Sequence, residues 1–349
     1  MTPNGFYADK TVVVTGGASF IGSHLVDRLI AEGARVTVID DFSSGRAENL
    51  AQHSGSAQLN VHECDLGERA AAVRVIDGAD VCFHLAAVHG GRGFIEAFPS
   101  KMLVNLAIDH NVMHAVEKAQ VPMFVHASSA CSYPIALQAG TDNRSALAEE
   151  MAGFESPQES FPDGTYGWIK LMGEYQAKVI AEAGSFRARS ARIFTAYGER
   201  ENESHAAIAL ISKALLRADP YPIWGNGLQT RNFTYVQDTV RGLLLLGSDG
   251  SEARYDAFNI GSSTHHTVLE FIDCVFAAIG WRPTEIEKQT HLPVGVENRA
   301  SDNRKILSRF GWEPDTPLEQ GVRATIEWYQ GLPDRPRTLE ELEALLIAR

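Results

Sequence analysis

The chain has 349 residues, 44% apolar and 21% charged, the proportions of an ordinary globular protein with room for about two lobes. Its 31 basic and 44 acidic residues leave a net charge of −13, which repels phosphate backbones and argues against nucleic acid as the main partner. No apolar run of about 18 residues predicts a membrane span, and the polar start, Met1 to Phe6, does not read as a secretory signal. Cys64, Cys82, Cys131 and Cys274 lie far apart without a C-x-x-C pair, which argues against a metal site or disulfide framework and fits a reducing cytoplasm.

In chain order, Lys10 to Thr15 is short, β-branched and followed by glycines, which predicts a buried parallel strand. Ser23 to Glu32 has apolar residues at helical spacing. Further strands are expected at Ala34 to Ile39, Val61 to Asp65, Val81 to Leu85 and Met123 to Ala127, with helices between them, notably Met102 to Lys118. Such alternation predicts an α/β fold, a doubly wound parallel sheet of Rossmann type covered on both faces. Beyond about residue 195 the rhythm loosens. Helices are expected at Ala206 to Leu216, Thr264 to Ile279 and Leu318 to Tyr329, and a turn at Gly225 to Gly227. We therefore expect a parallel-sheet domain at 1–194, with a return segment near 232–262, and a smaller lobe at 195–330. A tail at 331–349 should carry a charged helix from Leu339 to Ala348.

Thr15-Gly16-Gly17-Ala18-Ser19-Phe20-Ile21-Gly22 lies between the first strand and first helix. Glycines there let the backbone turn tightly toward a pyrophosphate, and the helix start supplies N–H donors. Asp40 ends the second strand, 18 residues after Gly22. A carboxylate there accepts hydrogen bonds from ribose hydroxyls and repels a 2′-phosphate, which predicts NAD over NADP. Asp65 and Leu66, after the third strand, are placed to meet the adenine.

Tyr166 and Lys170 stand at i, i+4, on one helix face. An ammonium beside a phenol stabilises phenolate, which can take a proton from a sugar hydroxyl. His84, His89 and His126 read as strand-end or packing residues, His265-His266 as a turn pair, and no residues suggest a metal.

With these motifs the chain resembles an extended short-chain dehydrogenase/reductase of the sugar-nucleotide epimerase/dehydratase type. The likeness runs from residue 10 to about 330 through TGGASFIGSHL, VIDDFSSG, FHLAA, ASSACSYP, YGWIK, RIFTAYG and GLQTRNFTYV. It implies NAD contacts at Gly16, Ser19, Phe20, Ile21, Gly22, Asp40, Asp41, Ser43, Asp65, Leu66, Leu85, Ala86, Ala87, Tyr166 and Lys170. Ser19 replaces the middle glycine of the family's TGxxGxxG. Ser129 would complete a Ser–Tyr–Lys triad. Cys131 lies two residues later; on a strand both would face one way.

Two branches of the family, the GDP-mannose 3,5-epimerases and the GDP-L-fucose synthases, carry a cysteine at this place as an acid/base. His205 matches the acid of the synthase branch, where the epimerase branch has lysine. The glycine-rich segment containing Gly91 and Arg92, the WGNGLQTR segment with Gln229 and Arg231, and the segment around Arg299 resemble the epimerase branch. Arg231, Arg299 and Lys213 would meet the substrate diphosphate. Thr195 stands where asparagine usually contacts substrate, and Glu199 where proline is usual.

The resemblance thus implies an NAD-dependent epimerase of a nucleotide-diphosphate sugar, GDP-mannose-like, acting as a cytoplasmic homodimer. Oxidation at C4 would acidify the protons on C5 and C3, and Cys131 and His205 would exchange them. A 4-epimerase, a 4-keto-sugar epimerase/reductase of the fucose synthase type and a non-enzymatic binding protein remain as alternatives. A 4,6-dehydratase is disfavoured because Ala130-Cys131 follows Ser129, where an Asp-Glu pair is usual.

Overall fold

The computed structural model describes residues 5–140, 142, 145–153 and 161–346. Six strands, β1 (Thr11–Thr15), β2 (Arg35–Asp40), β3 (Leu59–Glu63), β4 (Val81–His84), β5 (Met123–Ser129) and β6 (Arg187–Ile193), join Tyr255–Ile260 in one parallel sheet. The spatial order is Tyr255–Ile260, β6, β5, β4, β1, β2, β3. Order reverses between β1 and β4, and a ligand crevice is expected at the carboxyl ends there. The expected parallel α/β sheet is therefore observed.

Side chains alternate across the strands and fill a layer on each face. Val12, Val14, Val36 and Val38 pack with Leu25, Val26 and Leu29 of α1 (Phe20–Ala31). Leu243 to Leu246 of the helix Val236–Gly247 complete that layer. On the other face, Val13, Ile39, Cys82 and Phe124 meet Val112, Met113 and Val116 of the helix Val104–Lys118. Ala177 and Ala181 of the helix Gly164–Glu182 join them. A further cluster gathers Ile208, Ile211, Tyr221, Phe233, Phe271, Val275, Val322 and Tyr329.

Boundaries moved where local chemistry intervenes. The helix expected from Met102 begins only at Val104, because a tighter turn, Pro99–Leu103, opens on a proline. The helix expected from Thr264 begins at Val268: Thr267 and Glu270 form a reciprocal capping box. The third strand ends at Glu63 rather than Asp65, since the Asp65 carboxylate accepts the Gly67 N–H at 2.7 Å and closes a turn. The tail helix runs Leu339–Leu346 and packs Leu342 and Leu346 on Ala209; the expectation that it reaches Ala348 falls outside the described residues. Among the described residues no helix is long and apolar enough to cross a membrane.

Candidate active site

At the carboxyl ends of the strands lies a cavity of about 1130 Å³. It is walled by the β1–α1 loop, the segments after β4, β5 and β6, and the stretch before the helix Ala206–Leu215. Gly16 has φ +70, and a Cβ there would come within 2.8 Å of the Ala86 amide. A Cβ on Gly22 would overlap the Gly16 carbonyl. Both positions demand glycine. Ser19, by contrast, sits at φ −87 in extended backbone, so a serine replaces glycine there without strain. Gly16, Ser19, Phe20, Ile21, Gly22, Leu85, Ala86 and Ala87 all line the cavity. Thr15 Oγ1 accepts the Leu85 and Ala86 N–H groups at 3.2 Å each, which fixes the opposite rim.

A smaller recess beside it is lined by Asp40, Asp41, Asp65 and Leu66, together with Gly16 and Ser44. Asp40 is buried and accepts the Ala18 and Phe42 N–H groups at 2.9 Å each. Ser43 lines neither space. It is exposed, and its hydroxyl and N–H both turn to Asp41 Oδ1, so Ser44 and Arg46 take the places expected of it.

Ser129, Tyr166 and Lys170 share the cavity wall. The Lys170 ammonium lies 5.7 Å from the centre of the Tyr166 ring and donates to Ala127 O at 2.8 Å. Burial pushes the ammonium below its ordinary value. The phenol does not follow the expected downward shift. Burial, then the charges of Cys131 and Asp109, push it well above 10.

Cys131 is not on a strand. β5 stops at Ser129, and Ala130–Ser132 is a single tight turn whose Cys131 N–H donates to Ser129 Oγ at 3.1 Å. The two-residue strand geometry expected for this pair is thus replaced by a turn, and Cys131 lies just behind the cavity lining. Its Sγ is 3.4 Å from Arg299 Nη1 and 3.7 Å from Asp163 Oδ2.

Asp163 is the residue that sequence reasoning missed here. It accepts Arg92 at 2.7 Å and Arg299 at 2.9 Å. Burial opposes its ionisation, but Arg299 and Arg92 hold the carboxyl well below the usual range. Arg92 is thus committed to Asp163 and Glu96. Arg92 and Arg299 both line the cavity, while Arg231 does not and is held by the Thr230 and Val294 carbonyls at 2.7 Å each. Burial, then Arg299 and Arg92, push Arg231 down to about 9. The signal that announces Asp163 is charge balance: three arginines expected at one site require a counter-charge.

Gly91, Thr195 and His205 line the cavity; Gln229 and Lys213 do not. Gln229 donates to Trp224 O at 3.0 Å within its own turn. Lys213 is buried away from the cavity and donates to Pro222 O at 3.0 Å, so it supplies no third charge there; burial pushes it down to about 8. His205 starts the helix Ala206–Leu215, with Nδ1 at 3.1 Å from Glu201 Oε1. Burial pushes the Glu201 carboxyl up. His84 and His126 lie below the site, buried: His84 bridges Thr15 Oγ1 at 2.7 Å and Asp109 Oδ1 at 3.0 Å. His89, expected as packing, instead lines the cavity.

These loops and residues suit a dinucleotide beside a second, polar ligand. A model of the NAD dependent epimerase/dehydratase family matches residues 12–261. The chain belongs to this family. The GDP-mannose 3,5-epimerase of Arabidopsis thaliana is 32% identical over 325 residues, covering 91% of this chain and 81% of its own. The UDP-glucose 4-epimerase of Mycolicibacterium smegmatis is 29% identical over 323 residues, covering 91% and 98%. The solved UDP-glucose 4-epimerase of Thermotoga maritima superposes with a TM-score of 0.79 at 26% identity, covering 92% of this chain and 98% of that one. As a member of the NAD-dependent epimerase/dehydratase family the protein is an enzyme of sugar-nucleotide chemistry with NAD as its cofactor. The Gly16–Ala86 cradle and the acid-lined recess at Asp40 fit that group.

Proposed function

We propose that the protein is an NAD-dependent epimerase of a nucleotide-diphosphate sugar of the GDP-mannose type, working at C5 and, by the same chemistry, at C3. One observation carries the reading: Ser129, Tyr166, Lys170 and His205 line a single cavity, with Cys131 directly behind its Arg299. NAD, when bound, takes up hydride and gives it back. Gly16, Ser19, Gly22 and the Leu85–Ala87 rim would hold its phosphates and nicotinamide half, and Asp40 its adenosine ribose.

Tyr166 takes the proton of the C4 hydroxyl, and Ser129 hydrogen-bonds the same oxygen. Burial holds the phenol high, and Lys170, 5.7 Å from the centre of its ring, is the positive charge this chain sets beside it. The C4 ketone acidifies its neighbours. His205, oriented by Glu201, and Cys131 exchange a proton at carbon from opposite sides, and Tyr166 returns its proton as the ketone is reduced. Arg299, with Arg231 behind it, binds the diphosphate. We assign residues 1–194, with the return near 232–262, to NAD, and 195–330 mainly to substrate. A homodimer in a reducing cytoplasm completes the reading; the four free cysteines support the compartment.

Relatives of similar identity support different sugars, and one feature favours a second reading, an NDP-sugar 4-epimerase: Cys131 stands behind the lining rather than in it. A 4-epimerase needs Ser129, Tyr166 and Lys170 alone. Cys131→Ser and His205→Gln decide between them. Under the proposal each lowers conversion by about 10²-fold or more, and the variant that lacks the base takes up no deuterium at sugar carbon from D₂O. Conversion unchanged in both variants would establish the 4-epimerase instead.

A further inference from the structure

We propose that His89 carries protons to and from His205, resetting the acid/base pair after each inversion. This rests on the proton-exchange reading above. A two-sided epimerisation leaves its pair in swapped states: one group keeps the proton it took, and the other lacks the proton it gave. Before the same reaction can run again in the same direction, one proton must leave the first and another reach the second. A group adjoining His205 and open to the cavity can perform that return.

His89 is such a group. Its ring centre lies 5.1 Å from that of His205, edge to face, and 4.9 Å from that of Tyr166. All three side chains line the cavity, as does Glu201, which holds His205 Nδ1. His205 Nε2 has no hydrogen-bond partner among the described residues. The separation of the ring centres leaves room for one intervening water to join the two imidazoles.

The backbone brings the two segments together. The Gly91 N–H donates to Ser204 Oγ at 3.3 Å, and a Cβ on Gly91 would overlap the Ser204 carbonyl. A Cβ on Gly90 would come within 2.8 Å of Phe94 Cβ and 2.9 Å of its ring. The backbone carrying His89 is therefore packed against the backbone carrying His205 at Gly91 and Ser204.

The return balances. The Cys131 thiol gives the proton it took to cavity water. Cavity water protonates His89, and the resulting imidazolium passes its proton to neutral His205. No electron moves, and no net proton is taken up.

The test uses holoenzyme with bound NAD, wild type and His89→Gln, and GDP-mannose as the probe substrate. The proposal expects single-turnover conversion, enzyme in excess, within about twofold of wild type, and steady-state kcat lowered about tenfold or more. Added imidazole should restore the steady-state rate, which a merely structural role for His89 would not allow. Equal losses in both regimes, no loss in either, or no rescue would overturn the proposal. Failure of the parent reading looks different: wild type then takes up no deuterium at sugar carbon, and the His89 proposal falls with it.

Discussion

Tyr166 shows how far a motif reaches. The spacing to Lys170 places both on one helix face, and the structure puts them there. The direction of the phenol's shift was not legible, because burial and the Asp109 charge come from the fold and not from the motif. Tyr166→Phe removes the proton acceptor while keeping the ring, so kcat should fall by about 10²–10⁴-fold with bound NAD retained. Heat release of NAD and steady-state assay check this; a variant with full activity would remove Tyr166 from the mechanism. The arginines teach a similar lesson. Their convergence was legible by resemblance, but Asp163, the counter-charge that holds Arg92 and Arg299, was not. It lies 136 residues from Arg299 in sequence, so the pair meets only in the fold.

At the level of elements, strands buried on both sides were the clearest part of the sequence. β1 and β4 are almost wholly buried, and their apolar runs mark them. β3, at the sheet edge, alternates weakly and is half exposed, so its ends blurred. The turn at Cys131 was misread because nothing in Ser-Ala-Cys-Ser distinguishes a strand's last residue from its continuation. The contact between the post-β4 segment and the start of the helix Ala206–Leu215 depends on Gly91. Gly91→Ala should cost about 1–3 kcal/mol of stability through overlap with Ser204, and should lower kcat by moving His205. Chemical denaturation and steady-state kinetics measure both, and unchanged values in each would show that the segment yields freely.

For the whole molecule, the parallel sheet followed from strand–helix alternation, while its strand order, the cavity at its reversal and the assembly did not. Trp168, Tyr175 and Val179 share one exposed face of the helix Gly164–Glu182, and Leu103 and Val104 are exposed at the start of the neighbouring helix. Apolar groups so grouped fit the proposed homodimer. Light scattering should give twice the chain mass for wild type and the chain mass for Trp168→Glu; a monomeric wild type would end that part of the account.

The central claim is inversion of a sugar centre by proton exchange at carbon. Its most direct measurement is proton NMR of the holoenzyme with GDP-mannose in D₂O. The account predicts loss of the H5 signal, with or without H3, as new sugar resonances appear and the NAD content stays constant. New sugar resonances without deuterium on carbon, or no conversion of GDP-mannose by enzyme that carries NAD, would contradict it.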